Sequence, residues 1–280
     1  MWHNCGKKQL FNSASAVLVE PFRIYIATLL SLLLPISFLL LARLSTADYQ
    51  STFIHNPNLS SLFLHSNSSL FHALVCLISF AALIQTLTGW IPLISKSTEP
   101  IFQPHLYAAW ILLCALLVYI GFSIKGSIAA GIDGYGFGHK NTCLIIRVMF
   151  LLGLHETMLY WSRMVVKPVV DDTILGFVKE EMWIDRVVMA AGCGALWWRR
   201  LKDEVETLVV MVEVKKEMAM GVGVADFVGW WLYYQTVIIG LVMIVKGTIW
   251  VGVIMLCRRR RVEGEVNPGF HSGDNEEDKV

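Results

Sequence analysis

Charge is the scarcest ingredient of this 280-residue chain. Asp, Glu, Lys and Arg together make up 16% of it, against roughly 25% in soluble domains. The net charge of +1 excludes a broad nucleic-acid surface, which needs clustered positive charge in excess. Paired cysteines are missing too. The six, at positions 5, 76, 114, 143, 193 and 257, form no CxxC step and have no histidine at ligand spacing. Neither a disulfide framework nor a zinc site is expected.

Complete catalytic motifs are also lacking. His155-Glu156 opens like a zincin helix, but Leu159 stands where a second histidine is required to share the metal. Asp171-Asp172, in PVVDDTILG, suggests the paired carboxylates that hold Mg²⁺ against a diphosphate. There is no matching acidic motif elsewhere, and such sites need several oxygen ligands. Capping of a helix that starts after Pro168 is the expected role. Gly134-Tyr135-Gly136 follows Ile132-Asp133 rather than the Thr-Val of a potassium filter, and is read as a turn. No metal, cofactor or enzyme activity is expected.

What the chain does have is apolar length. Residues 24–42 carry no charged side chain, and about twenty apolar residues let a helix cross a hydrocarbon core roughly 30 Å thick. Only helices and closed barrels satisfy their backbone inside lipid. The run is longer than the roughly 7–15 residues of a signal-peptide core, and no cleavage site follows it; it is read as a retained span. Further apolar segments cover about 70–93, 106–124, 143–162, 183–198 and 227–257. An all-α polytopic bundle of about six transmembrane helices follows, a seventh being left open.

Around the membrane domain, 24–257, lie a polar arm at 1–23 and a tail at 258–280 that is basic, then acidic, and expected to be disordered. Residues 199–220 form an amphipathic charged helix. Leu201, Val205, Leu208 and Val212 share one face, with Lys202, Asp203, Glu206, Glu213 and Glu217 opposite. Such a helix suits the membrane surface or a partner helix.

Lys7, Lys8, Arg23, the 163–182 linker and Arg258–Arg261 place both termini in the cytoplasm by the positive-inside rule. The side taken by 199–226 fits this least well, because Arg199, Arg200, Lys202, Lys215 and Lys216 then lie outside. A secretory-pathway or plasma membrane is the expected location. The outward 43–69 loop holds candidate N-glycosylation sites at Asn58 and Asn67. Cys257, just before the basic run, is a candidate for palmitoylation or a plain helix-end thiol. Arg258, Arg259, Arg260 and Arg261 are candidate anionic-lipid contacts.

Ionisable groups inside spans are functional candidates by default. Here they are Arg147, His155, Glu156 and Lys246. Arg147 and Glu156 fall on opposite faces of one helix, whereas a Glu156–Lys246 pair across two helices is geometrically allowed. Small-residue steps at Ala190/Gly194, Ala191/Ala195 and Gly221/Ala225/Gly229 suit close packing within the bundle or at a homo-oligomer contact.

Through PVVDDTILG, the charged helix, DFVGWWLYY and RRRR, the chain resembles an uncharacterised group of plant multi-pass transmembrane proteins, best over 143–261. That resemblance implies a six- or seven-span membrane fold and no activity. A membrane scaffold or adaptor is the expected function, with lipid, a second copy or another membrane protein as partner. The alternative is a small transporter or channel built on Glu156, His155 and Lys246, against which stands the lack of internal repeats.

Overall fold

The computed structural model describes residues 19–54, 68–89, 104–129, 143–175, 182–218 and 221–265, and the regular structure there is all helical. Five helices are long and apolar enough to cross a membrane. They are α1 (residues 19–54), α2 (Ser68–Thr88), α3 (Pro104–Ala129), α4 (residues 144–175) and α6 (Val224–Glu265). Between the last two runs α5 (residues 183–217), too rich in charge to qualify on composition. The chain is a membrane-embedded helical bundle, as its apolar runs predict.

α1 forms the axis. Leu30, Leu33, Leu34, Phe38, Leu40 and Leu41 point in different directions around it, yet all are buried. A helix that is apolar all round belongs in the middle of a bundle. Pro35 has no N–H, so the carbonyl of Ser31 loses its usual donor. The chain makes a one-residue turn at Leu32, and the ladder resumes with Ile36 N–H donating to Leu32 O at 3.0 Å. Trp161 of α4 donates its indole N–H to Leu30 O at 3.1 Å beside this irregularity.

Lipid is as apolar as leucine, so packing and polar contacts, not the hydrophobic effect, hold such helices together. Phe150 of α4 is the hub. It meets Phe38 of α1 edge-on at 6.0 Å, and stacks on Trp197 of α5 at 5.7 Å and on Tyr233 of α6 at 4.8 Å. Each such pair adds about 0.5–1.5 kcal/mol beyond the area it buries. One turn further on, α4 and α6 cross backbone to backbone at Gly153 and Gly240. A Cβ on Gly153 would lie 1.8 Å from Thr236 O, and one on Gly240 1.8 Å from Met149 O.

π-helical turns interrupt α4 at Ser162–Val166 and α5 at Trp197–Leu201. Their cause is visible in the spacing of the inward residues. In α4 these are Phe150, Leu154, Met158, Ser162, Val166 and Val170, each buried and four positions from the last. In α5 the series is Asp185, Met189, Cys193, Leu201 and Val205, with half-buried Trp197 filling the gap. A strict period of four drifts off the face of a 3.6-residue helix by about 40° per step. One wide turn brings it back.

Some boundaries differ from the sequence expectation. α4 continues past Trp161 to Leu175, so much of the expected charged linker is helix. Asp171 therefore lies within a helix, not at its N-cap. α6 runs on to Glu265, which puts Arg258–Arg261 on a helix instead of in an unstructured tail. The small-residue steps of α5 face outward: Ala190, Ala191 and Ala195 are exposed, and Gly194 meets nothing within 4 Å. The close approaches lie elsewhere, at Gly153 and Gly240.

Gly240→Leu should therefore be among the most damaging single changes in α6, because the obstacle is backbone and cannot rotate away. Overpacking of this kind costs about 1–3 kcal/mol or more. Thermal unfolding in detergent should show a clear drop in Tm, whereas Gly247→Leu, in open space, should leave it unchanged.

Candidate functional site

The polar groups that matter lie in layers at the two ends of the bundle. At one end Arg23, 2% exposed, holds three helices together. Its Nη1 donates to Asp171 Oδ1 of α4 at 3.0 Å, and its Nη2 reaches Asp185 Oδ2 of α5 at 3.1 Å. Asp185 also accepts the backbone N–H of Met182 at 3.3 Å, closing the start of α5. A cavity of about 20 Å³ beside the cluster is lined by Arg23, Thr28, Ser162, Lys167, Asp185 and Met189. That is room for about one water.

At the other end Arg43 of α1, 3% exposed, makes a two-pronged pair with Glu204 of α5. Nε–Oε2 is 2.7 Å and Nη2–Oε1 is 2.8 Å. Its remaining nitrogen donates to Ser127 Oγ of α3 at 2.8 Å. Arg147 of α4 forks onto Glu206 in the same way, with Nη2–Oε2 at 2.9 Å and a second bond from Nε to Oε1. Beyond this layer, Lys215 of α5 donates to Asp226 of α6 at 2.7 Å and to Asp48 of α1 at 3.0 Å. Asp226 accepts in addition from Ser45 Oγ and Gly223 N–H.

These pairs fix the relative directions of α1, α3, α4, α5 and α6. Arg23 and Arg43 are about 30 Å apart along α1, and Asp185 and Glu204 about 28 Å apart along α5, at 1.5 Å per residue. Parallel helices joined at both ends over that distance cover the same thickness of membrane. α5 is thus matched in depth to α1 as the sixth helix of the bundle. The Asp171 end of α4 lies at the Arg23 end, Ser127 of α3 at the Arg43 end, and α6 starts from Asp226 at the Arg43 end. The start of α1 and the end of α6 consequently share one end of the bundle. Residues 199–217 belong to the other.

The sequence-derived candidates fall differently from expectation. Among the described residues Glu156 and Lys246 form no ion pair. Lys246 donates instead to Thr86 O, one of the last carbonyls of α2. There Gly89, at φ +67°, ends the helix with its N–H on Gln85 O at 2.8 Å. A cation at a helix C-terminus satisfies orphan carbonyls and opposes the dipole, so Lys246 caps α2. His155 and Glu156 are half-buried neighbours, and His155 Nε2 is buried without a hydrogen-bond partner. Arg147 is engaged by Glu206.

Cys257, Arg258 and Arg259 are exposed on α6, and the helix carries Arg260 and Arg261 as well. Asn58, Asn67 and Gly134–Gly136 lie outside the described residues. The charged helix does not lie loose on a surface. Leu201, Val205 and Leu208 are buried in the chain's own bundle, while Val212 is half-buried.

Sequence reasoning took Arg23 and Arg43 only as flanking charges. The signal that could have found their partners is the nearly equal spacing of opposite charges bracketing two apolar runs, 23/43 and 185/204. Comparison with family models, with curated proteins and with solved structures returns no match.

Five hydroxyls within the spans are satisfied locally. Thr28, Ser31, Ser37, Thr157 and Thr236 each donate to the carbonyl four residues back at 2.6–2.8 Å. They bond within their own helices and do not line up as donors toward a shared path.

Arg43→Met should cost about 3–5 kcal/mol, because it strands Glu204 in a buried position. The double variant Arg43→Met/Glu204→Met should recover most of that loss in a thermal unfolding series. A second expectation concerns Lys215. Burial lowers the affinity of its ammonium for the proton, but bonds and charge from Asp226 and Asp48 outweigh burial, so its pKa is raised above 10.5. A raised cation contributes stability in full below the unfolded value and loses it as pH climbs through the folded one. Tm should therefore hold through neutral pH and fall above about 10.5, a step that Lys215→Met should reduce.

Proposed function

We propose that this chain is a multi-pass membrane scaffold that presents the basic end of α6 to anionic lipid and to membrane partners at the cytoplasmic face. What carries the reading is the disposition of charge. Arg23, Arg43, Arg147 and Lys215 are all bonded across helices inside the bundle, whereas Arg258 is exposed at the end of an α6 whose second half is itself exposed. The apolar face of the charged helix is occupied by the chain's own core, so the partner surface moves from 199–220 to the end of α6. Cys257 stays a candidate acylation site at that surface.

The same accounting supports the orientation with both termini in the cytoplasm. At the Arg43 end, Arg43, Arg147 and Lys215 are neutralised by Glu204, Glu206 and Asp226. That weakens the pull toward the cytoplasm of this end, where Arg199, Arg200, Lys202 and Lys216 remain, and supports Arg258–Arg261 and the polar arm as the inside. Kinship with the plant multi-pass group belongs to the same proposal. PVVDDTILG and DFVGWWLYY contain Asp171, Asp226 and Tyr233, each a buried contact of the bundle.

One observation favours the transporter reading. Gln235, 3% exposed, has neither its amide N nor its amide O hydrogen-bonded, and Ser79 Oγ and His155 Nε2 are also buried without partners. Such groups are where water or a polar solute would sit.

The two readings separate on one measurement. With the native cysteines replaced and folding confirmed, Glu156→Cys should resist membrane-impermeant thiol reagents added from either side. Labelling from one side would mean that water reaches mid-span, and transport would take over as the working function.

A further inference from the structure

We propose that the π turn of α5 binds the phosphate of an anionic phospholipid, held by Arg199, Arg200 and Lys202 beside Trp198 in the leaflet at the Arg43 end of the bundle. The role given above to the end of α6 is separate, since that surface lies at the opposite end.

Charge balance is the first observation. Residues 199–206 carry three cations, Arg199, Arg200 and Lys202, and three carboxylates, Asp203, Glu204 and Glu206. Two of the carboxylates are committed across helices. Arg43 takes both oxygens of Glu204, and Arg147 both oxygens of Glu206. Arg200, its side chain 57% exposed, stands 3.8 Å from the Glu204 oxygen that Arg43 Nη2 already holds. Among the described residues Arg199 has neither a hydrogen bond nor an ion pair. That leaves Asp203 against three cations, an excess of two positive charges.

Placement is the second. Trp198, Arg199 and Arg200 are consecutive and all exposed, because the wide turn at Trp197–Leu201 fans neighbouring side chains over a narrower arc than an α-helical turn does. Turns of this kind occur frequently at functional sites. Arg199 lies five residues, about 7 Å, on the mid-bundle side of Glu204, and Trp197 beside it stacks on the Phe150 hub. At this depth the outward face meets lipid. A guanidinium is costly among acyl chains, so its stem carries it toward the headgroups, where phosphodiesters are the anions at hand. The planar fork of arginine matches two phosphate oxygens at once. Trp198, 73% exposed, is the residue type that settles at headgroup level. Lys202 Nζ lies 4.5 Å from its ring centre, a cation–π contact that holds the ammonium on the Trp198 side of the turn. The two excess charges select a headgroup with net negative charge over a zwitterionic one.

The test uses the full chain in nanodiscs of phosphatidylcholine with a photoactivatable phosphatidylglycerol, the adducts being mapped by peptide. The expected result is an adduct within residues 195–203, competed by unlabelled phosphatidylglycerol and not by phosphatidylcholine or inorganic phosphate. Arg199→Gln removes no contact of the chain with itself and should lower that adduct about fivefold, the weight of one cation at an anionic surface. Arg199→Gln/Arg200→Gln should lower it further at unchanged Tm, and Arg258→Gln should leave it as it was. Competition by inorganic phosphate as effective as by phosphatidylglycerol would overturn the lipid assignment in favour of a free anion. An adduct equally strong with photoactivatable phosphatidylcholine, or unaltered in both variants, would mean unselective lipid contact and overturn the site. No adduct at all would overturn it too, and leave the excess charge to an acidic partner protein.

Discussion

The fold depends on one matched distance. α5 carries Asp185 and Glu204 about 28 Å apart, and α1 carries Arg23 and Arg43 about 30 Å apart. Placed side by side in the same direction, each acid meets a base, and all four groups sit at the ends of the apolar layer. A helix with this much charge would not stay in lipid alone, because every unpaired charge drawn into the core is costly. Paired at both ends, it packs as a member of the bundle. The other helices take their direction from that lock: α4 from Asp171 and Arg147, α3 from Ser127, α6 from Asp226.

Between the two charged layers the bundle is mostly apolar. Cohesion there comes from shape. The aromatic hub at Phe150 ties α1, α4, α5 and α6 together, and the glycines at 153 and 240 let α4 and α6 touch along their backbones. The π turns belong to the same design. They keep two four-residue series of inward side chains on one face, so that Asp171 and Glu204 arrive at the ends of their helices pointing at arginines. Polar groups left unpaired in the middle are few (Gln235, Ser79 and His155 among them), and they are the places where a different function would have to begin.

The membrane class and the apolar runs were legible in the sequence because composition alone determines whether a helix can sit in lipid. Partners were not. Glu156 and Lys246 looked like a pair because both are charges inside spans. Helix ends also demand cations, however, and the open carbonyls at the end of α2 claim Lys246. The small-residue steps of α5 were visible as a pattern but point outward, while the decisive glycines stand singly, one per helix, with no repeat to mark them. Asp171 looked like a cap because Pro168 suggested a helix start. The preceding helix runs through that proline by way of its π turn and carries Asp171 to Arg23.

The most direct test of this account is the side of the membrane on which each end of α5 emerges. In a chain freed of its native cysteines, Met182→Cys and Glu217→Cys mark the two ends, and impermeant thiol reagents are applied to sealed vesicles of known orientation. The account predicts labelling from opposite sides, with Glu217→Cys on the side opposite both chain termini. Labelling of both positions from the same side would mean that α5 does not cross, and the matched ion pairs with α1 could not exist as described.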